Sequence, residues 1–169
     1  EGNATGISSL ESLNASIKNL SVVAMGADIQ RIIKDRIPDA SWLNRLGLIS
    51  VKGNLSIADK HMSAKLNTAT QCGKVDCVIN GVVRSSDNNE ILPISIDSKI
   101  NWDNIDLGKL LADNKFGCTN GEITTDFVLS GANNIKGNAA VAVKSLQLGY
   151  TTLENLKLNA SGDNSYLNF

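Results

Sequence analysis

A chain of 169 residues with 16 Lys+Arg against 17 Asp+Glu, and a formal net charge of -1, is long enough for one domain with a sizeable core. It lacks the positive field that nucleic acid or an anionic membrane surface demands. Aromatic residues at 4% are too few for base-stacking platforms, so no nucleic-acid partner is expected. The three cysteines, Cys72, Cys77 and Cys118, cannot all pair within one chain and lack the spacing of a metal knuckle. They read as free thiols acting as small apolar residues, although Cys72 and Cys77 stand close enough in sequence for a hairpin bridge. No apolar run approaches the ~18 residues of a membrane-spanning helix, and no basic-then-apolar signal region opens the chain. The start at Glu1 and the stop at Phe169 suggest an excised piece of a larger protein.

Residues 1–9 are small and polar without a pattern, which predicts a frayed lead-in. From Leu10 to Val23 the apolar positions alternate irregularly, as in a strand interrupted by a bulge. Gly26 breaks this pattern. Asp28 is then a candidate N-cap for a helix carrying Ile29, Ile32, Ile33 and Ile37 on one face, ended by Pro38. A second short helix is expected over Ser41–Leu46, with Trp42, Leu43 and Leu46 inward and a stop at Gly47.

Beyond Gly47 the period changes to two. Ile49, Val51, Gly53, Leu55 and Ile57 share one face, the tetrapeptide Ala58–His61 forms a turn, and Met62, Ala64, Leu66 and Thr68 return. Val75, Cys77, Ile79, Gly81 and Val83 form the next face, and Ser85–Asn89 reads as a loop. Leu92, Ile94, Ile96, Ile100 and Trp102 come next, with Pro93 near the strand start where a missing amide is least harmful. Asp106 caps a short helix over Leu107–Ala112 whose Leu107, Leu110 and Leu111 face the sheet. The stretch from Cys118 to Ala160 then holds long alternating segments, with Ile123, Thr125, Phe127 and Leu129 set against Thr124, Asp126, Val128 and Ser130. The units are a strand with helices over 10–47, a first meander over 48–104 and a helix with a second meander over 105–169, all in one trough segment spanning 1–169.

Two internal echoes stand out. Val51-Lys52-Gly53-Asn54 recurs as Ile135-Lys136-Gly137-Asn138, and a short helix precedes a strand twice, before Val51 and before Ile123.

No catalytic constellation is visible. His61, the single histidine, falls in a predicted turn without Cys, Ser or a second His to work with. Asp97, Asp103, Asp106 and Asp113 read as caps and solvated positions. The glycines lie within or between strands, where no phosphate cradle forms. Sequons at Asn3, Asn14, Asn19, Asn54 and Asn159 accompany a general abundance of asparagine. The chain is therefore read as a non-enzyme with no cofactor, no metal site and no catalytic residue. What remains is the apolar face of a mainly β, antiparallel meander. Either helices or a second sheet close it into a dry core, or it stays open as a groove, and the helical segments are short for a sheet of this length.

The segments Asp106–Leu111, Ile135–Asn138 and Leu146–Ala160, together with the strand-then-helix stretch Leu13–Leu46, resemble the large AsmA-like proteins of Gram-negative bacteria, most closely the TamB branch. The resemblance implies a long meander curved into an open, taco-like trough with a hydrophobic interior and two or three short helices at its ends. It further implies a periplasmic segment of a protein anchored in the inner membrane. The function implied is phospholipid transport between inner and outer membrane, hence outer-membrane biogenesis. A scaffold for insertion of outer-membrane or autotransporter β-proteins, working by strand pairing, is the alternative. The implied partners are phospholipid acyl chains and, through the full-length protein, an outer-membrane assembly protein of the TamA type. Inward positions that would line such a groove are Leu55, Ile57, Leu66, Val75, Ile79, Ile94, Ile96, Ile123, Phe127, Leu129, Val141, Val143, Leu156 and Leu158.

Overall fold

The structure, a computed structural model, describes residues 1–5, 14–37, 40–82, 95–129 and 135–163 together with the backbone of Val83, Ile94 and 166–168. The expected loop at 85–89, Pro38, Pro93, Ser130 and the Leu10–Leu13 part of the first strand lie outside the described residues. The fold is mainly β, with short helices and an open, unclosed antiparallel sheet. Its strands are β1 (Gly2–Thr5), β2 (Asn14–Met25), β3 (Leu48–Ala58), β4 (His61–Thr70), β5 (Gly73–Val83), β6 (Ile94–Asp106), β7 (Phe116–Leu129), β8 (Ile135–Leu148), β9 (Thr151–Asp163) and β10 (Tyr166–Asn168). They lie side by side in strict chain order, so each hydrogen-bonds its sequence neighbour and the sheet is a single meander.

The helices are α1 (Gly26–Ile33) and α2 (Trp42–Arg45), between β2 and β3, and α3 (Leu107–Leu111), between β6 and β7. Both helical connections therefore sit at the same end of the sheet. The helix-then-strand echo corresponds to a spatial repeat, with α2 touching α3. The tetrapeptide echo does not, because Val51–Asn54 lies on β3 and Ile135–Asn138 on β8, and strands five apart in an antiparallel meander run in opposite directions.

Hydrogen bonds lace the helical end together around the β4–β5 turn. The Gln71 amide donates to the Leu46 carbonyl at 3.0 Å and the Asp106 amide to the Cys72 carbonyl at 2.7 Å. The Cys72 thiol donates to the Arg45 carbonyl at 3.1 Å, and Arg45 Nη1 to the Leu110 carbonyl at 2.8 Å. Ala40, Leu43 and Ile49 form the buried core here, with Ile29, Ile33, Leu46 and Val51 packed against them. Gly26 makes the approach possible, since a Cβ on it would overlap the Leu43 carbonyl.

Several local expectations need correction. Met25, not Asp28, is the N-cap of α1, and it offers no side-chain cap; Asp28 lies in the first turn and pairs with exposed Arg31 at 3.0 Å. Ile32 is 80% exposed and Ile37 51%, so only Ile29 and Ile33 of that face reach the core. Trp42 and Leu111 are also largely exposed rather than inward. Such short helices contact the sheet over a narrow stripe, and apolar residues off that stripe stay in water. Asp106 behaves as expected, its Oδ1 accepting from the Lys109 amide at 2.8 Å. The Ala58–His61 turn is tighter than expected: Asp59 and Lys60 alone make it, at φ 49° and 67°, a two-residue connection whose twist suits the strands. His61 is exposed and opens β4 opposite Ala58. Part of the supposed lead-in is β1, which pairs with β2 from Gly2↔Ile17 to Thr5↔Asn14; a backbone ladder needs no side-chain pattern.

The bulge read into the first strand is present. The β2–β3 register shifts between Ile17 and Leu20, where Asn19 takes φ 55° and its amide donates to Asn54 Oδ1 at 3.0 Å. The device recurs on β6: the register with β7 shifts between Trp102 and Ile105, Asn104 takes φ 51°, and its amide donates to Asn120 Oδ1 at 2.7 Å. Asparagine tolerates the left-handed region better than other non-glycine residues, and the neighbouring strand's asparagine captures the amide that the bulge frees. Part of the asparagine abundance thus has a structural purpose. Because Asn120 Nδ2 also donates to Ser145 Oγ at 3.0 Å, Asn120→Ala is expected to cost about 1 kcal/mol, read as a lowered urea midpoint with an unchanged slope.

Candidate apolar trough

Cross-strand register builds the candidate site, since residues directly opposite one another share a face. Ile17, Leu55, Ala64, Ile79, Ser98, Thr125, Ala139 and Ala160 form one row across the sheet. On one side of it runs the row Ile57, Met62, Gly81, Ile96, Phe127 and Gly137. On the other side runs Leu20, Gly53, Leu66, Cys77, Ile100, Ile123, Val141 and Leu158. Towards the helices come Val22, Val51, Thr68, Val75, Trp102, Gly121, Val143 and Leu156, and at the opposite end Ile94, Leu129 and Ile135. Every residue proposed as a groove liner therefore falls on one face. No charged residue enters these rows.

The opposite face is polar. One of its rows runs Ser56, Ser63, Asn80, Asp97, Asp126, Asn138 and Ser161, and another Lys52, Asn67, Asp76, Asn101, Glu122, Ala142 and Lys157. On this face Asn67 Nδ2 donates to Asp76 Oδ1 at 2.6 Å, and Lys99 pairs with Glu122 at 3.2 Å across partly solvated side chains. A shallow depression of about 420 Å³ also lies on this side, bordered by Thr124, Asp126, Asn138 and Asn159. It includes none of the proposed liners.

Among the described residues the apolar face has no second layer over most of its extent. Contacts of the helices fall on one another and on β2, β3 and β7 at one end. Leu55, Leu66, Ile79, Ile96, Ile123 and Phe127 are half-buried, shielded by their row neighbours, while Leu156 and Leu158 at the β9 flank are 42% and 51% exposed. The surface is graded: Trp102 lies over Gly121, where a Cβ would strike its ring, and its indole Nε1 donates to Thr119 Oγ1 at 3.3 Å. Ser98 and Thr125 satisfy each other at 2.6 Å, so two hydroxyls on an apolar face need no outside partner.

Sequence reasoning passed over the share of β2 in this face, namely Ile17, Leu20 and Val22. The bulge at Asn19 breaks strict alternation there, and a pattern count that allowed one inserted residue would have found them. It also left Met62, Cys77, Ile100 and Trp102 out of the liners although their period placed them on the same side.

The cysteines are free thiols. Burial pushes the Cys72 thiol above its ordinary value, with the Lys109 ammonium opposing and the Asp106 carboxylate adding to the shift. Burial alone raises Cys77, which faces the trough. Among the described residues no three His, Cys, Asp or Glu side chains gather as a metal set. No family model matches this chain, and neither a curated protein nor a solved structure is found to be similar to it.

Proposed function

We propose that this chain is a segment of a hydrophobic conduit that carries phospholipid acyl chains between the inner and outer membranes, the role implied by its resemblance to the TamB branch. In this reading it acts in the periplasm, as part of an inner-membrane-anchored protein working with an outer-membrane partner of the TamA type, and it is not an enzyme. The observation that carries the reading is the continuous, uncharged apolar face of an open sheet. Each methylene taken out of water contributes ~0.8 kcal/mol, so a two-tailed lipid crossing an aqueous gap faces a barrier of tens of kcal/mol that such a surface lowers. Shallow contacts also favour movement, because a deep pocket would hold its lipid.

A photo-crosslinking residue at Ile96 or Phe127, introduced in cells, is expected to give a lipid adduct, and the same probe at Asp97 on the polar face is not. Adducts with protein alone at both apolar positions would sink the conduit. A second reading, insertion of β-proteins by strand pairing, is favoured by one feature, the Thr151–Ala160 edge of β9, along which no strand lies among the described residues. The two separate cleanly. A proline in that edge disables the scaffold and spares the conduit, while a charge on the apolar face does the reverse.

A further inference from the structure

Gly53, Gly81, Gly121 and Gly137 stand inside strands, in the rows of the apolar face. Glycine weakens a strand interior, so its presence there usually marks a close approach. None of the four has the left-handed backbone that would itself call for glycine. Space is the reason instead. Each stands directly opposite a bulky side chain: Gly53 faces Leu66, Gly81 faces Met62, Gly121 faces Trp102 and Gly137 faces Phe127. A Cβ on Gly81 would lie 2.7 Å from Met62 Cε and one on Gly53 3.0 Å from Leu66 Cδ2, while on Gly121 and Gly137 it would strike the Trp102 and Phe127 rings. The four bulky side chains therefore reach across to the glycine and lie along the sheet, where a strand side chain ordinarily stands perpendicular to it. The indole of Trp102 is also held down by its bond to Thr119 Oγ1, on the same strand as Gly121.

We propose that these glycines set the clearance of the trough: they keep the bulky side chains low, leaving an even surface along which an acyl chain slides, and Gly81 is a positioning residue of that path. The proposal rests on the conduit reading. It differs from the packing value of the same contacts, because it concerns what happens when a bulky side chain is lifted while the backbone stays. At Gly53, Gly121 and Gly137 an added Cβ would also overlap a carbonyl of the adjoining strand, that of Lys65, Ala142 and Asp126 respectively, so alanine there shifts the backbone. At Gly81 the nearest atom is Met62 Cε, and the Ser95 carbonyl is 3.5 Å away. Alanine at this position meets only the end of a flexible side chain, lifts it from the sheet and leaves the strands in place.

Photo-crosslinking on the full-length protein in cells tests it, with the probe at Ile96, which stands opposite Gly81 on β6. Gly81→Ala is expected to lower the lipid adduct threefold or more, and Met62→Ala added to it to restore the wild-type yield. The melting temperature should not fall with Gly81→Ala, because alanine loses less chain entropy than glycine on entering a strand. A wild-type adduct that Gly81→Ala leaves unchanged overturns this inference while the conduit stands. A loss that Met62→Ala does not restore, or one that comes with a lower melting temperature, also overturns it, since a strand shift or the new methyl would then be the cause. Absence of a lipid adduct at Ile96 in the wild-type protein removes the conduit itself, and this inference with it.

Discussion

Leu43→Ala is expected to destabilise the protein by about 3 kcal/mol, the middle of the range for removing a buried leucine, and to lower the melting temperature by roughly 10 °C for a domain of this size. Leu43 is 6% exposed and sits between Ala40 and Ile49, with Ile29, Ile33, Leu46 and Val51 around it. Among the described residues the sheet has little other cover, so few buried contacts exist elsewhere to absorb the loss. The same cluster holds α1 and α2 against β3, and through Arg45 it holds α3 as well. Ile32→Ala, on α1 and 80% exposed, should change stability by less than about 0.5 kcal/mol. Thermal unfolding followed by circular dichroism compares the two. If they were equally costly, the cluster at the helical end would not be what holds the helices in place.

The second large effect is functional. Ile123→Asp places a carboxylate in the row Cys77, Ile100, Ile123, Val141 and Leu158, midway across the apolar face. A charge that must stay hydrated cannot be covered by an acyl chain without a penalty of several kcal/mol. Lipid adducts from a probe at Phe127, two rows along the same face, should fall tenfold or more. Stability should suffer far less, because the carboxylate stays in contact with water. Thr124→Asp, the neighbouring residue on the polar face, should leave the adducts unchanged. Equal losses from both variants would mean that the apolar face is not the path.

Much of the fold is legible from period-two alternation. The strands from β3 to β9, and the side each residue occupies, can be read from it because consecutive side chains on a strand point to opposite faces, a local rule that needs no partner. The proposed liners land on one face for this reason. Asp106 is equally local, since a carboxylate before a helix meets its third amide wherever the helix lies. Where a bulge shifts the count, as at Asn19 and Asn104, alternation alone puts the residues beyond the bulge on the wrong side. The sequence does contain a sign of these sites in its asparagines, but only the neighbouring strand shows which of them cap a freed amide.

The chain's own residues thus determine a mainly β meander, a face without charge, free cysteines without a metal spacing and a capped third helix, all products of side-chain chemistry over a few neighbouring residues. The tertiary structure decided the rest. It assigned Ile29 and Ile33 but not Ile32 to the core, recruited Gly2–Thr5 as a strand, and, among the described residues, left most of the apolar face without a second layer. Cover, edge pairing and the inward side of a short helix depend on what stands opposite in space, and that is set by contacts between segments far apart in the chain.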